Sequence, residues 1–218
     1  MISFTNPEGA RIVPDLVEAV RQNAQLLSDI DGAIGDGDHG VNMKKGFNLA
    51  GAELGNSAGD LTHGLKVLSR TLMDSIGGAM GPLYGMFFRG LAKGCAGKEH
   101  IDAATFGEML KAAGDALQTV SQAKVGDKTL LDAFLPAEEA YGLAVGEGRS
   151  FAECLELMAL AAERGRDSTR DLVAKVGRAS RLGERSRGTQ DAGATSCALL
   201  LRTIAESIKS ILQSSQKR

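Results

Sequence analysis

The sequence predicts an all-α fold, and two observations lead to that prediction. Apolar residues recur at the i, i+3, i+4 spacing of an amphipathic helix in nearly every periodic segment, and no segment makes a convincing strand. No fixed-period repeat and no low-complexity linker divides the 218 residues. We therefore expect eight helices in a single domain that covers residues 1–218.

Composition limits the classes of function. The net charge is −2 and aromatic residues are scarce, so we expect no general affinity for nucleic acid or for a membrane. No apolar run could span a bilayer, and the N-terminus lacks the basic region and apolar core of a signal peptide. Cys95, Cys154 and Cys197 are widely spaced and form no C-x-x-C pair, which favours reduced, buried thiols and a cytoplasmic location.

The first predicted helix leads into a loop rich in aspartate and glycine. Apolar residues from Ile12 to Leu27 share one helical face, and residues 31–40 then have the sequence DGAIGDGDHG. Asp31, Asp36 and Asp38 lie in this loop, and its glycines let the backbone bend so that the carboxylates can face one point. Because such a cluster repels itself without a cation, the loop predicts a site for Mg²⁺ or Ca²⁺.

Other interpretations of this loop explain it less well. Residues 35–40 match the dinucleotide-binding pattern G-x-G-x-x-G, but no β-branched strand precedes them and their acidic residues would repel a pyrophosphate. An EF-hand needs Glu at its twelfth position, which is Asn42 counted from Asp31 and Phe47 counted from Asp36. A solvated acidic turn with one aspartate as a helix N-cap accounts for one carboxylate rather than three.

The second helix is predicted from about Gly40 to Ala52, followed by a loop over 55–60 and a third helix from Leu61 to Ser75. The acidic loop thus leads into a helix N-terminus, where free N–H groups and the positive end of the helix dipole favour phosphate. A metal site beside a helix N-terminus indicates a nucleotide held through Mg²⁺.

A glycine-rich turn, residues 77–82, precedes the fourth predicted helix, whose first turn can hold Pro82. Its glycines would let backbone amides approach a ligand, so we interpret it as a second turn that contacts phosphate or base. Tight packing of helices through small residues is the alternative.

Three more helices are predicted in the middle of the chain. Asp127 is the candidate N-cap of the second of them, and Pro136 is expected to kink or break it. Lys128 does not follow a glycine in the G-K-[ST] arrangement, so this region is not a P-loop. The helices are expected over residues 102–121, from 126–132 onward, and over 151–173.

The stretch from Arg164 to Arg187 is rich in arginine. It has no aromatic residue to stack on bases, which disfavours a nucleic-acid patch. A solvated charged face and a loop whose guanidinium groups bind phosphate both stay open, and the second is the sharper interpretation. The eighth helix is predicted from Asp191, its candidate N-cap, to about Leu212.

Five segments, in family order along the chain, resemble the nucleotide-binding L subunit of the dihydroxyacetone kinase family (DhaL). Together they span almost the whole sequence. The presence of all five in the same order is far more specific to the family than any one segment alone. The segments are residues 31–40 with Asn42, 77–85, 126–129, 177–180 with 182–186, and 190–191 with 193–196.

The resemblance implies a closed barrel of eight antiparallel amphipathic helices with the nucleotide at one end. It also implies that Asp31, Asp36 and Asp38 coordinate two Mg²⁺ ions on the phosphates of ADP or ATP. With Arg178 as a further phosphate contact, these residues would carry catalysis. The positions that match nucleotide contacts of the family are His39, Gly40, Val41, Asn42, Ala79, Met80, Ser121, Leu130, Arg178, Asp191, Ala192 and Gly193.

Several positions depart from the family pattern. Met80 stands where the family usually has Ser, and Leu130 stands where it usually has Met. Arg181, Thr189 and Ala192 replace residues that are commonly Tyr, His and Pro, and they fall in the lid region of the family.

The implied activity is phosphoryl transfer from an Mg²⁺-bound nucleotide to a hydroxyl of a short ketose such as dihydroxyacetone. In the family, a histidine of a separate K subunit holds the ketose covalently. Here His39 belongs to the acidic loop, and His63 and His100 lie in no substrate motif, so we expect a K-type partner. The phosphoryl donor stays open between exchanging ATP and a bound ADP that a phosphotransferase-system protein recharges.

Three alternative functions remain. The first is a kinase for a four-carbon ketose such as erythrulose, with the same chemistry. The second is the nucleotide-binding part of a fatty-acid kinase, in which this domain type is fused to further domains. The third is a regulatory module that binds nucleotide and reports it to a transcription factor without catalysis.

Overall fold

A computed structural model describes residues 2–55 and 59–215 of the chain. These residues are mainly helical, which confirms the predicted all-α fold. Part of the loop predicted over 55–60 lies outside the described residues. The α-helices of the described residues are α1 (Ile12–Ile34), α2 (His39–Leu54), α3 (Leu61–Ser75), α4 (Met80–Cys95), α5 (Ala103–Gln118), α6 (Leu131–Gly146), α7 (Phe151–Ser168) and α8 (Ala192–Ser215).

Two short strands, β1 (Ser3–Thr5) and β2 (His100–Asp102), pair in antiparallel orientation, with Phe4 opposite Ile101. Both of these central residues are buried. The structure differs here from the predicted absence of strands, because three residues are too few to show an alternating pattern. The pairing joins the start of the chain to the segment that precedes α5.

Two helix ends lie elsewhere than the sequence predicts. α1 continues to Ile34, so Asp31 belongs to the end of this helix and not to the loop. α7 ends at Ser168, and a 3₁₀ helix, Thr169–Asp171, follows it. Another 3₁₀ helix, Ala179–Ser186, lies in the arginine-rich stretch and packs against α1.

The start of α6 also corrects the prediction. α6 begins beyond the proposed N-cap, Asp127, which therefore does not cap it. Instead, the buried carboxylate of Asp132 accepts the backbone N–H of Gly126 at 2.5 Å and that of Thr129 at 2.6 Å. The helix continues through Pro136, so no break occurs there.

The helices pack in a cyclic order. Each helix from α1 to α7 packs against the next along the chain, and α8 packs against both α7 and α1. α6 also contacts α8, which brings the loop before α6 close to the start of α8. This order of contacts is the one that a ring of helices requires, and the closed barrel with antiparallel neighbours stays a prediction.

The core contains aromatic rings from three helices. Phe87 of α4 has its ring centroid 5.0 Å from that of Phe88 and 5.6 Å from that of Phe134 in α6, both edge to face. Phe47 of α2 joins this group through Phe88, and each buried ring contributes roughly 1.5–3 kcal/mol. The three cysteines are free and buried, as predicted. Within the described ranges, the helices are too short or too polar to cross a membrane.

Candidate functional site

The three predicted aspartates do converge. Carboxylate oxygens of Asp31, Asp36 and Asp38 all lie within 4.8 Å of one another, and we call these residues the acidic cluster. Asp31 comes from the end of α1, and the other two come from the short link to α2. Gly37 allows this link to reverse direction, because its φ of +75° is unfavourable for residues with a Cβ. Three partly exposed carboxylates are an oxygen donor set that suits a hard divalent cation.

Arg178 is the basic residue that faces the acidic cluster. Its guanidinium forms an ion pair with Asp36 and lies 3.8 Å from the carboxylate of Asp38. All three side chains are substantially exposed, so solvent screens these pairs and they add little stability. The structure therefore places Arg178 at the acidic cluster, on a segment far along the chain from α1, and its predicted contact with phosphate stays a prediction.

The first turn of α2 lies against the acidic cluster and against α1. The backbone N–H of His39 donates to the carboxylate of Asp31 at 3.3 Å. A Cβ added to Gly40 would collide with the carbonyl oxygen of Ala24, so the close approach of α2 to α1 requires glycine. Gly40 thus has a packing role in addition to its predicted place beside the nucleotide.

Two other residues of this turn are more accessible. The side chain of Val41 is well exposed, and Asn42 is partly exposed on the same turn. The N–H of Asn42 forms a helical hydrogen bond with the carbonyl of Asp38, which joins the acidic cluster directly to α2.

A buried series of hydrogen bonds joins the N-terminal parts of three helices. His39 Nε2 lies 2.8 Å from the hydroxyl of Ser196 in α8, and the hydroxyl of Tyr84 in α4 lies 2.5 Å from the same oxygen. Tyr84 also donates to the carbonyl of Gly193. Sequence reasoning assigned no role to Tyr84 or Ser196, although both lie in segments that carry the family resemblance.

Burial sets the protonation states of the residues that form this series of hydrogen bonds. It lowers the pKa of His39 to about 4, against the opposing effect of the nearby charge of Asp31, so the imidazole is neutral at pH 7. Burial also raises the pKa of Tyr84 well above its usual range, with smaller contributions from Cys197 and Asp191. Both side chains therefore act as neutral hydrogen-bonding groups.

Asp191 caps α8, as predicted. Its carboxylate accepts the backbone N–H of Ala194 at 2.7 Å. Desolvation raises the pKa of Asp191 to about 7, and the negative charge of Asp132 acts in the same direction, while the N–H of Ala194 and the charge of Lys128 oppose it. Ala192 is buried in this first turn.

The start of α8 lies beside the end of the loop between α5 and α6. A Cβ added to Gly193 would lie 3.3 Å from the backbone nitrogen of Leu130, which is itself buried. Ser121 lies near the other end of this loop, and its hydroxyl accepts the N–H of Ala123. Leu130 and Gly193 are therefore neighbours, whereas Ser121 lies toward the opposite end of the loop.

The glycine-rich turn before α4 is open. No atom lies within 4 Å of a Cβ added to Gly77 or Gly78, and Gly78 has a φ of +70°. Ala79 is exposed at the end of this turn, and the half-buried Met80 packs against the core. This openness disfavours helix packing as the reason for glycine at positions 77 and 78.

Lys128 is a residue whose role the sequence did not reveal. It is only 2% exposed and has a φ of +65°, and burial lowers the pKa of its ammonium. Its Nζ donates to backbone carbonyl oxygens at 2.6–3.2 Å. We call this ammonium and its acceptors the lysine clamp. The acceptors are the carbonyl groups of Thr169, Leu172, Ser186 and Thr189.

Taken together, the site joins two kinds of group. The acidic cluster offers oxygen ligands for divalent cations, and the first turns of α2 and α8 offer helix N-termini that favour anions. Arg178 adds a guanidinium suited to phosphate oxygens.

Comparison with known sequences gives a consistent picture. The model of the DAK2 domain family matches residues 33–206. A Listeria innocua protein named PEP-dependent dihydroxyacetone kinase 1, ADP-binding subunit DhaL, is 37% identical over 90% of this chain and 93% of its own length. The corresponding Escherichia coli subunit is 35% identical over 85% of this chain and 89% of its own length. A Mycolicibacterium smegmatis D-erythrulose kinase is 35% identical over 91% of this chain, but over only 35% of its own length.

Comparison with solved structures supports the fold. The native dihydroxyacetone kinase of C. freundii superposes on 95% of this chain with a TM-score of 0.66 at 20% identity. The same enzyme in complex with AMP-PNP and Mg²⁺ superposes on 94% with a TM-score of 0.67 at 21% identity. This chain corresponds to 36% and 34% of those two longer chains.

Proposed function

This chain belongs to the DAK2 domain family, with the ADP-binding DhaL subunits of dihydroxyacetone kinases among its relatives, and we propose that it is the nucleotide-binding subunit of such a kinase. The reaction is phosphoryl transfer from a nucleotide to a hydroxyl of a short ketose such as dihydroxyacetone. The ketose is held by a separate K-type subunit. The observation that carries this proposal is the convergence of three carboxylates and Arg178 beside the first turn of α2.

The protein positions the phosphates and neutralises their charge, because phosphoryl transfer needs little covalent chemistry from the enzyme. Two Mg²⁺ ions, when bound, supply the positive charge that stabilises the transferring group. Asp31, Asp36 and Asp38 would hold these ions, and the guanidinium of Arg178, which lies beside the same carboxylates, would donate to the phosphate oxygens. Half-exposed carboxylates remain accessible to an incoming metal nucleotide.

The remaining contacts surround the nucleotide in this proposal. His39 contributes by holding the first turn of α2 beside the nucleotide, because its Nε2 is bonded to Ser196 and its backbone N–H to Asp31. Leu130 and Met80 supply apolar contacts, and Asp191 acts by holding the first turn of α8. The other proposed contacts are Gly40, Val41, Asn42, Ala79, Ser121, Ala192 and Gly193.

The phosphoryl donor is proposed from the relatives. The Listeria and Escherichia proteins carry the description PEP-dependent, and a Lactococcus lactis relative is named a PTS-dependent dihydroxyacetone kinase subunit. We therefore favour a bound ADP that a phosphotransferase-system protein recharges over ATP as an exchanging substrate. Recharging of this kind fits the predicted cytoplasmic location.

A second candidate substrate is a four-carbon ketose, because relatives from Mycolicibacterium smegmatis and Pectobacterium atrosepticum are named erythrulose kinases. Since the proposed K-type subunit holds the ketose, residues of this chain do not choose between the two sugars. Turnover of dihydroxyacetone and of erythrulose with the same K-type partner decides between them. Turnover of neither sugar would instead favour a regulatory module or a fatty-acid kinase part.

The first experiment tests the nucleotide and metal site. We expect gently purified protein to release nucleotide and Mg²⁺ on denaturation, and the Asp36→Asn variant to release neither. Asp29→Asn is the matched control, because Asp29 is an exposed aspartate of α1 outside the acidic cluster. If wild-type protein binds neither Mg²⁺ nor nucleotide when both are added, the proposed function fails.

The second experiment tests the need for a partner. We expect the chain alone to phosphorylate no ketose, and activity to appear when a K-type subunit is added. Full kinase activity of the chain by itself would contradict the proposed division of labour. Stoichiometric ADP that resists dialysis supports recharging, whereas freely exchanging nucleotide supports ATP as the donor.

A further inference from the structure

Lys128 is held in an environment that a lysine rarely occupies. Fully buried lysines normally have a partner for their charge. Here the hydrogen-bond acceptors of the ammonium are four backbone carbonyl oxygens, of which that of Thr189 is nearest at 2.6 Å, and the charges of Asp191 and Asp132 also act on it. Its backbone has a φ of +65°, which is uncommon for a residue with a Cβ and is maintained only when the surroundings require it.

The four carbonyl groups belong to the two ends of one segment. Thr169 and Leu172 precede Arg178 in the chain, whereas Ser186 and Thr189 follow it. We call residues 169–189 the arginine segment. A single ammonium therefore draws together both ends of the segment that carries Arg178 at its middle.

Other hydrogen bonds join the same two ends of the arginine segment. The N–H of Gly188 donates to the carbonyl of Arg170 at 2.8 Å, and the N–H of Ala174 donates to the hydroxyl of Ser186 at 2.9 Å. These two bonds join neutral groups, whereas bonds from an ammonium are charge-assisted and roughly twice as strong. The guanidinium of Arg187 also donates to the carbonyl of Asp171, but its side chain is exposed, so solvent screens this charge-assisted bond. The lysine clamp is therefore a buried charge-assisted link at the base of the arginine segment.

We propose that Lys128 is a positioning residue for Arg178, acting through the arginine segment rather than by touching nucleotide. By joining the ends of the segment, its ammonium directs Arg178 toward the acidic cluster. This inference rests on the proposed function of that site. Without the ammonium, the carbonyl oxygens of Leu172, Ser186 and Thr189 would lose the donor that they share, and the segment would open.

The test compares Lys128→Met with Lys124→Met in the full-length chain. Methionine keeps the apolar stem of lysine but lacks N–H donors. Lys124 is an exposed lysine of the same loop between α5 and α6, so Lys124→Met is the matched control. The measurements are the affinity for ADP in the presence of Mg²⁺ and hydrogen exchange of the arginine segment.

We expect Lys128→Met to weaken binding of Mg²⁺-ADP by roughly 10–100-fold, the usual range for residues that orient a ligand contact. Hydrogen exchange should accelerate in residues 169–189 and not in α1 or α2. Lys124→Met should change neither quantity. Unchanged affinity together with an unchanged arginine segment in Lys128→Met would overturn the proposal.

The double variant with Arg178→Ala separates positioning from a general structural role. If Lys128 acts through Arg178, Lys128→Met should cost little further affinity once the guanidinium is absent. Equal losses with and without Arg178 would contradict the proposal. If Lys128→Met does not fold, Lys128→Gln keeps two N–H donors with a shorter reach, and the same dependence on Arg178 decides the matter.

A failure of the proposed function gives a different result. In that case wild-type protein binds no Mg²⁺-ADP, but hydrogen exchange of the nucleotide-free protein still shows whether Lys128 holds the arginine segment. The two hypotheses can therefore fail separately.

Discussion

The acidic cluster and the lysine clamp solve opposite electrostatic problems within one site. The acidic cluster gathers like charges at a partly exposed position and lacks, among its own residues, the cations that would balance them. The lysine clamp buries one positive charge among oxygen atoms of the backbone. The comparison teaches that the first region leaves negative charge unbalanced, which suits the charged ligand proposed for it, whereas the second satisfies its own charge with hydrogen bonds that join distant parts of the chain.

The largest expected effect is on ligand binding. Asp38→Asn should weaken the affinity for Mg²⁺-ADP by about 100-fold or more, because it removes one of the three proposed metal ligands. Its free energy of unfolding in EDTA should be unchanged or slightly higher, because repulsion among the carboxylates decreases. Calorimetric titration and urea denaturation measure the two quantities. A variant that loses stability and keeps its affinity would show that the acidic cluster is a structural element.

Lys128→Met, unlike Asp38→Asn, should lower the stability of the protein. Because it leaves the carbonyl oxygens of Leu172, Ser186 and Thr189 without this donor, we expect its free energy of unfolding to fall by about 2–4 kcal/mol. Urea denaturation without nucleotide measures this loss, and Lys124→Met is again the control. Equal stability of the two variants would remove the contrast between the regions.

Gly40→Ala tests whether packing of α2 on α1 holds the acidic cluster. The added Cβ collides with the carbonyl of Ala24, so we expect a loss of about 1–3 kcal/mol and weaker metal binding. Gly142→Ala is the control, because nothing lies within 4 Å of a Cβ at that helical position. It should be neutral or stabilising by up to about 1 kcal/mol. If both variants have the same stability and metal affinity, the close contact of α1 and α2 is not needed to hold the acidic cluster.

The smallest expected effect concerns pH, and it has opposite signs in two residues. His39 has a pKa of about 4, below its ordinary value, so its contribution to stability is present above about pH 6.5 and is lost as the pH falls toward 4. Asp191 has a pKa of about 7, above its ordinary value of 3.8. Burial of Asp191 therefore lowers the free energy of unfolding little below pH 3.8. The loss grows as the pH rises from 3.8 through 7.

These two dependences oppose each other in the wild-type protein between about pH 4 and pH 7. Asp191→Asn should therefore reveal a loss of stability on acidification, and His39→Gln should reveal a gain, each of up to about 3 kcal/mol. Urea denaturation of the metal-free protein at pH 4.5 and pH 7.5 measures them. Parallel pH profiles of the two variants would contradict the assigned protonation states.

The sequence predicted the helices well because their signal is local. α3 was expected from Leu61 to Ser75 and has those limits, since its apolar spacing lies within the helix itself and its N-cap residue, Asp60, directly precedes it. The end of α1 was harder to predict, because Asp31 and Gly32 are typical of a loop. Packing extends the helix through both residues. β1 and β2 were missed because they stabilise each other across a long separation in the chain.

By itself, the sequence determined the all-α class, the three aspartates of the acidic cluster and the N-cap of α8, because each depends on residues close together in the chain. Only the tertiary structure decided that Arg178 faces Asp36 and that Lys128 holds the arginine segment. Both contacts join residues that are distant in the chain. The physical reason is that an ion pair or a buried ammonium has no periodic pattern, so folding of the intervening helices determines which groups meet.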